Sequence, residues 1–132
     1  MIHALLLGLL VLASPPGEDT WYQLYDRGVT AIESGRPQDA KPLLEAALAM
    51  QPVEGIRLRT SGIYFVDYMP NLYLAIASQM SGDLDAARTY LAAAEQSGVA
   101  ARSEVGAPLL QAWRILLRAP TPAAPAARPT AP

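Results

Sequence analysis

Acidic side chains are the residues in this chain whose types and spacing come closest to catalytic or metal-binding chemistry. Asp83 and Asp85 stand two residues apart, as paired carboxylates for acid–base work or calcium binding can. Because both begin an apolar helical pattern, capping and a favourable interaction with the helix dipole explain them better. Glu33, Glu45 and Glu95 fall at helix positions that we predict to be exposed. The sequence thus favours a non-enzymatic protein, with a carboxylate-only, glycan-acting enzyme as the lowest-ranked alternative.

Imidazole and thiol chemistry is almost absent from the chain. His3 is the single histidine, and there is no cysteine. Disulfides, thiol catalysis and thiolate metal sites are therefore excluded, and a histidine base would have to come from the first few residues. We predict that the protein uses no metal and no cofactor.

Residues 1–13 resemble a secretory signal. The segment is an almost unbroken apolar run that ends in Val11-Leu12-Ala13 before Ser14-Pro15-Pro16. It falls short of the roughly 20 apolar residues that cross a bilayer, so we expect no stable membrane span. No lysine or arginine precedes the run, which makes the signal atypical or places the true start upstream; a buried N-terminal helix is the alternative reading. We predict an exported protein, periplasmic or secreted.

Composition allows one small helical domain over residues 14–118. Alanine and leucine dominate the apolar residues, which predicts an all-α fold. The formal charge of −2 and the lack of a basic cluster argue against a nucleic-acid partner. Residues 119–132 are rich in proline and alanine and are predicted to form a disordered tail.

Two stretches of the domain carry the same residues at a constant offset of 47 positions. Each contains a Ser-Gly turn followed by small and large apolar residues at helical spacing, which predicts a repeated helical hairpin. The matched residues are Ser34-Gly35, Ala40, Leu44 and Ala47, and then Ser81-Gly82, Ala87, Leu91 and Ala94. The four helices are predicted over residues 20–34 and 37–50, from Pro70 to Gly82, and from Asp83 to Gly98. A helix over residues 108–118 is expected to cap them.

These residues resemble the tetratricopeptide repeat (TPR) family. The first unit matches at the small helix A residue, the turn glycine, the helix B positions and the terminal proline, which here are Gly28, Gly35, Ala40, Leu44, Ala47 and Pro52. The second unit matches at Leu74-Ala75, Gly82, Ala87, Leu91 and Ala94. The family repeats at about 34 residues, so the offset here implies a 13-residue insertion between the two units.

The resemblance also implies a binding surface. Helix A residues of the family line a concave groove, and their equivalents here are Tyr22, Tyr25, Val29 and Glu33 in the first unit and Leu72, Ile76 and Gln79 in the second. Tyrosine and apolar side chains in such a groove would hold a peptide or a partner helix. The alternative is that some of these side chains belong to the core.

The insertion, residues 55–67, predicts an extended loop or a small hairpin around Ser61-Gly62. With Tyr68 it holds the densest aromatic group of the chain, which also includes Tyr64 and Phe65. These rings either contact a partner or pack over the end of the helices, and we favour packing because two repeats fall below the roughly three that a stable stack needs.

The leading hypothesis is therefore an exported adaptor that binds another protein or peptide. Its main rival is a structural or self-oligomerising envelope subunit, in which the same apolar surface forms a homodimer. A melting temperature that rises with protein concentration would favour the rival.

Overall fold

The computed structural model describes residues 19–118, so the signal peptide predicted for residues 1–13 and the tail predicted for residues 119–132 lie outside the described residues. Within this range the chain is mostly helical, but a small two-stranded sheet corrects the all-α prediction. The elements are α1 (Trp21–Glu33), α2 (Pro37–Met50), β1 (Gly55–Arg59), β2 (Phe65–Tyr68), α3 (Pro70–Met80), α4 (Leu84–Ser97), α5 (Val99–Arg102) and α6 (Gly106–Arg118).

The turns that join α1 to α2 and α3 to α4 have the same hydrogen bonds. In the first, Gly35 N–H donates to Ile32 O and Arg36 N–H to Ala31 O; in the second, 47 residues later, the same bonds run from Gly82 to Gln79 and from Asp83 to Ser78. The glycines have φ of 74° and 82°, a left-handed conformation that suits glycine. The predicted turn glycines are confirmed, and the short turns fold each helix back on its predecessor.

The core lies between these helix pairs. α1 packs on α2, α3 packs on α4, and α2 also contacts α3. Ala40, Leu44, Ala47 and their equivalents Ala87, Leu91 and Ala94 are all buried. Gly28 is the closest point between α1 and α2, because a Cβ added there would lie 2.6 Å from Leu44 Cγ. The sequence predicted a close backbone at Gly28, whereas the closest atoms belong to the Leu44 side chain.

The predicted insertion forms the antiparallel hairpin β1–β2. Leu58 pairs with Val66 and Arg59 with Phe65, and the register is irregular between Gly55 and Leu58. Arg57 lies in this irregular stretch with a φ of 52°. A bulge of this kind bends the strand locally, and pairing resumes beyond it at Gly55 and Tyr68.

Aromatic rings attach the base of this hairpin to the helices. Tyr68 is fully buried, with its ring centroid 4.7 Å from Trp21 and 5.0 Å from Tyr25, both in edge-on geometry. Its hydroxyl donates to Gln51 O at 2.9 Å. Tyr68 therefore joins the end of α2, the start of α1 and the end of β2 in one packed unit.

The chain between α4 and α6 contains a turn of helix that the sequence did not predict. α5 follows the left-handed Gly98 and buries Val99 and Ala100. α6 then begins at Gly106, two residues earlier than predicted, because the Ser103 hydroxyl accepts the Gly106 N–H at 3.1 Å. Pro108 is tolerated there since the first turn of a helix leaves its N–H groups without intrahelical partners.

Two buried serines lead to opposite stability predictions. Among the described residues the Ser78 hydroxyl has no hydrogen-bond partner, whereas the equally buried Ser103 hydroxyl donates to Asp67 Oδ2 at 2.9 Å. An unpaired buried hydroxyl costs free energy, and a broken pair leaves its partner unpaired. We expect Ser78→Ala to raise the free energy of unfolding by about 1 kcal/mol and Ser103→Ala to lower it by about 1 to 3 kcal/mol. Urea denaturation of both variants measures the contrast, and equal effects would contradict it.

No helix within residues 19–118 combines the length and the apolar character needed to cross a bilayer.

Candidate binding groove

An open groove of about 640 Å³ lies between α1 and the hairpin, and we refer to it below as the groove. Its volume is in the range typical of ligand-binding clefts. Three tyrosines from the helices, apolar residues from α1, β2 and two loops, and two carboxylates line it. The lining residues are Tyr22, Gln23, Tyr25, Asp26, Val29, Thr60, Phe65, Val66, Asp67, Met69, Tyr73 and Val105.

One stripe of α1 forms the first wall. Tyr22, Tyr25, Asp26 and Val29 are three or four residues apart, so their side chains share a single face of the helix. The helix begins firmly at Thr20, whose hydroxyl accepts the Gln23 N–H while the Gln23 side chain accepts the Thr20 N–H. The wall is therefore held from its first turn.

The second wall is β2, which is fixed by hydrogen bonds from three elements. The Asp67 carboxylate accepts the Arg57 N–H at 3.0 Å and the Ser103 hydroxyl at 2.9 Å. The Asp67 carbonyl accepts the Tyr25 hydroxyl at 2.9 Å. Because Asp67 is tied to β1, α1 and the turn before α6, the groove is formed without a ligand and would need little ordering to bind one.

Two buried phenols form the floor. Tyr25 and Tyr73 lie edge-on with ring centroids 5.9 Å apart. Burial raises the pKa of Tyr25 well above its ordinary value, and the neighbouring Tyr73 adds to the shift. Burial also raises the pKa of Tyr73, with a further contribution from the Glu33 carboxylate. Both rings are therefore neutral at physiological pH and present an apolar surface with a hydroxyl edge.

The groove carries negative charge. Its lining includes Asp26 and Asp67 and no lysine, arginine or histidine. Asp67 is already hydrogen-bonded, whereas Asp26 is exposed and forms no salt bridge with any described residue. A ligand that carries a positive charge at the rim would therefore meet an unpaired carboxylate.

The structure brings together some of the predicted binding residues and separates the others. Tyr22, Tyr25 and Val29 all line the groove. Leu72 and Ile76 are 0% and 4% exposed, which corrects the prediction that they line an open surface, since they are covered by other core side chains. Glu33 is exposed and Gln79 is partly exposed, but neither lines the groove.

The aromatic residues of the insertion also divide into two groups. Tyr68 is completely buried, so it packs over the helices as we favoured and offers no surface to a partner. Tyr64 and Phe65 are 70% and 47% exposed, and only Phe65 lines the groove. The predicted partner contact therefore applies at most to Tyr64 and Phe65.

Sequence reasoning missed Asp26 and most of the second wall. Asp26 follows Tyr22 by four residues, so helical spacing alone could have found it. Val66, Asp67 and Val105 carried no comparable signal, because their position depends on where the hairpin folds against the helices. The resemblance directed attention to α3, but the groove faces the hairpin instead.

The acidic residues first considered for catalysis lie apart from the groove. Asp83 caps α4 by accepting the Ala86 N–H at 3.1 Å, as predicted. Asp85 Oδ1 lies 3.7 Å from Arg88 Nη1 in an exposed ion pair. Glu33, Glu45 and Glu95 are exposed, also as predicted. Within residues 19–118, no three histidine, cysteine or acidic side chains converge on a metal site.

Comparisons of the chain with protein-family models, with curated proteins and with solved structures find no match.

Proposed function

We propose that this protein is a non-catalytic adaptor, exported from the cytoplasm, that binds an extended segment of a partner protein in the groove. The observation that carries the proposal is the groove itself, a preformed cleft between α1 and β2 that is lined by aromatic, aliphatic and polar side chains, with an unpaired carboxylate at its rim. The export part of the proposal rests on the apolar run of residues 1–13.

The proposed scaffold is a pair of TPR-type hairpins, α1–α2 and α3–α4. Support comes from the equivalent turns 47 residues apart and from the burial of the same apolar positions in each pair. The hairpin inserted between the pairs, together with α5 and α6, would then replace a third repeat by covering the exposed ends of the helices.

The chemistry of the groove suggests what it would bind. Tyr22, Val29 and Phe65 offer apolar contact area around the phenols of Tyr25 and Tyr73. Asp26 adds an unpaired negative charge at the edge. A peptide with one bulky apolar side chain next to a lysine or arginine would fill the cleft and pair with this carboxylate.

A selection of random displayed peptides on the full chain tests the proposal. We expect enriched peptides to place a lysine or arginine beside an aromatic or aliphatic residue. Tyr22→Ala should weaken their binding about tenfold or more, since a buried tyrosine commonly dominates such interfaces. Asp26→Asn should weaken binding about threefold at low salt and less at high salt, because the charge is near solvent.

Matched variants separate groove binding from general effects. Tyr64→Ala removes an exposed tyrosine outside the groove, and Asp85→Asn removes an exposed carboxylate on α4. Both should leave peptide affinity unchanged, and melting temperatures should show that all four variants are folded. Peptides that bind the Tyr22→Ala variant as tightly as the parent would refute the groove as the site. No enriched peptide together with a dimer in light scattering would favour the self-assembling subunit instead.

A further inference from the structure

The turn of the hairpin, residues 60–65, projects three large apolar side chains into solvent, and we call this segment the tip. Ile63, Tyr64 and Phe65 are 84%, 70% and 47% exposed. A Cβ built on Gly62 would have no atom within 4 Å, so nothing in the described chain covers the turn. Consecutive exposed apolar side chains of this size are unusual on a soluble surface and mark a site of interaction.

Two backbone hydrogen bonds close the tip. Thr60 N–H donates to Tyr64 O at 2.9 Å, and Tyr64 N–H donates to Ser61 O at 3.0 Å. The Thr60 hydroxyl also donates to Tyr64 O. These bonds satisfy polar groups at the base of the tip, which lowers the cost of moving this part of the backbone into a less polar environment.

Two arginines flank the apolar side chains. The guanidinium groups of Arg57 and Arg59 each lie 5.7 Å from the centroid of the Phe65 ring. No acidic residue occurs from Gly55 to Val66. Of the bounding acids, Glu54 accepts the Asn71 N–H, and Asp67 accepts the Ser103 hydroxyl and the backbone N–H of Arg57, so neither forms a salt bridge with an arginine side chain of the hairpin. The hairpin therefore carries a local positive charge, although the whole chain is slightly acidic.

The order of side chains along the hairpin matches the order of layers in a bilayer surface. The aliphatic Ile63 is the most exposed and the aromatic Tyr64 and Phe65 come next. Arg59 pairs with Phe65 across the hairpin, and Arg57 lies two residues further from the turn on β1. Acyl chains, the interfacial zone that aromatic rings prefer, and anionic headgroups follow each other in the same order.

From this arrangement we infer that the tip inserts into the interface of an anionic lipid membrane. Ile63 and Tyr64 enter below the headgroups, while Arg57 and Arg59 pair with lipid phosphates. The groove shares Thr60 and Phe65 with the tip but does not include Ile63 or Tyr64. Substitutions at Ile63 or Tyr64 therefore separate membrane docking from peptide binding.

A single fluorescent label tests the insertion directly. The chain has no cysteine, so Ile63→Cys in the full chain gives one site for an environment-sensitive dye. Vesicles of phosphatidylcholine with phosphatidylglycerol should shift its emission to the blue, and a lipid-borne quencher should reduce it. Ala92→Cys, at an exposed position of α4, is the matched control and should show neither change. Because the label reports only its own position, binding through another segment leaves residue 63 unchanged and would overturn the inference.

Affinity measurements test the role of charge. Arg57→Gln and Arg59→Gln should each weaken the affinity for anionic vesicles, measured by co-sedimentation, about fivefold. This factor corresponds to the contribution of one arginine near an anionic surface. Arg88→Gln on α4 removes the same charge elsewhere and should have little effect, as should Tyr22→Ala in the groove. Equal binding to vesicles of phosphatidylcholine alone, or no binding to anionic vesicles, would overturn the inference. A dye on residue 63 that responds to a protein and not to vesicles would show that the tip contacts a protein instead of a membrane.

Discussion

Replacing Leu44 with alanine is expected to lower the free energy of unfolding by about 2 to 5 kcal/mol. Leu44 is fully buried between α1 and α2, where its side chain packs directly over Gly28. Truncation would remove apolar contacts and leave a cavity, because the surrounding helices relax only partly into the space. A domain of this size has a total stability of about 5 to 15 kcal/mol, so the variant would be close to unfolded at physiological temperature. Thermal and urea unfolding measure the change.

The equivalent residue in the second helix pair should behave in the same way. Leu91 occupies the position 47 residues after Leu44 and is 7% exposed, so Leu91→Ala is expected to cost a comparable amount. Leu116→Ala is the matched control, since Leu116 is 54% exposed and its loss should change stability by less than about 0.5 kcal/mol. Near-neutral effects of both core substitutions would contradict the paired-helix arrangement of the core.

The contact between Gly28 and Leu44 can be isolated by a double-mutant cycle. Gly28→Ala alone should destabilise the protein although alanine favours helix, because the new Cβ would lie 2.6 Å from Leu44 Cγ. In the Leu44→Ala background the same substitution enters the cavity and should be neutral or stabilising. Additive effects of the two changes would show that the contact does not limit how closely α1 approaches α2.

Alkaline pH is expected to unfold the protein because two tyrosines are buried in neutral form. Burial raises the pKa of Tyr25 and of Tyr68 well above the ordinary value near 10, with the Glu54 carboxylate adding to the shift of Tyr68. Above pH 10 the unfolded chain loses these protons while the folded chain keeps them. The stabilising contribution is thus complete below pH 10 and is lost as the pH rises toward the folded-state values.

The slope of this loss can be measured. Each group should reduce the free energy of unfolding by about 1.4 kcal/mol per pH unit, so both together would remove about 5 kcal/mol between pH 10 and pH 12. Urea denaturation at several pH values gives the slope. Tyr25→Phe and Tyr68→Phe should each reduce the slope by about 1.4 kcal/mol per pH unit, whatever the effect at neutral pH, whereas Tyr64→Phe at an exposed position should not. A slope that is unchanged in both buried-site variants would contradict the assignment.

The hairpin is what distinguishes this chain from a simple pair of helical repeats. Tyr68 and Asp67 anchor its base to α1, α2 and the turn before α6. The same anchoring leaves the tip free and forms one wall of the groove. A single insertion thus supports the stability of the domain and both of the proposed binding properties.

The sequence by itself determined the helices, the turns and much of the core of the described domain. Helical spacing of apolar residues, the glycines at positions 35, 82 and 98 and the aspartate cap at position 83 act within a few residues of one another, so local rules suffice to place them. The stripe of Tyr22, Tyr25 and Val29 was indicated by the resemblance to the TPR family, whose helix A residues line a groove.

Only the tertiary structure decided which residues are exposed and what lies opposite that stripe. Leu72 and Ile76 lie on α3, a helix that is apolar on nearly every side, so the spacing of its residues does not show which of them are covered. Their burial depends on which elements pack against α3. The second wall of the groove comes from β2, which is joined to α1 through the bond from the Tyr25 hydroxyl to the Asp67 carbonyl, 42 positions further along the chain. Contacts of this range depend on how the hairpin folds back over the helices, and no local pattern of residue types records that choice.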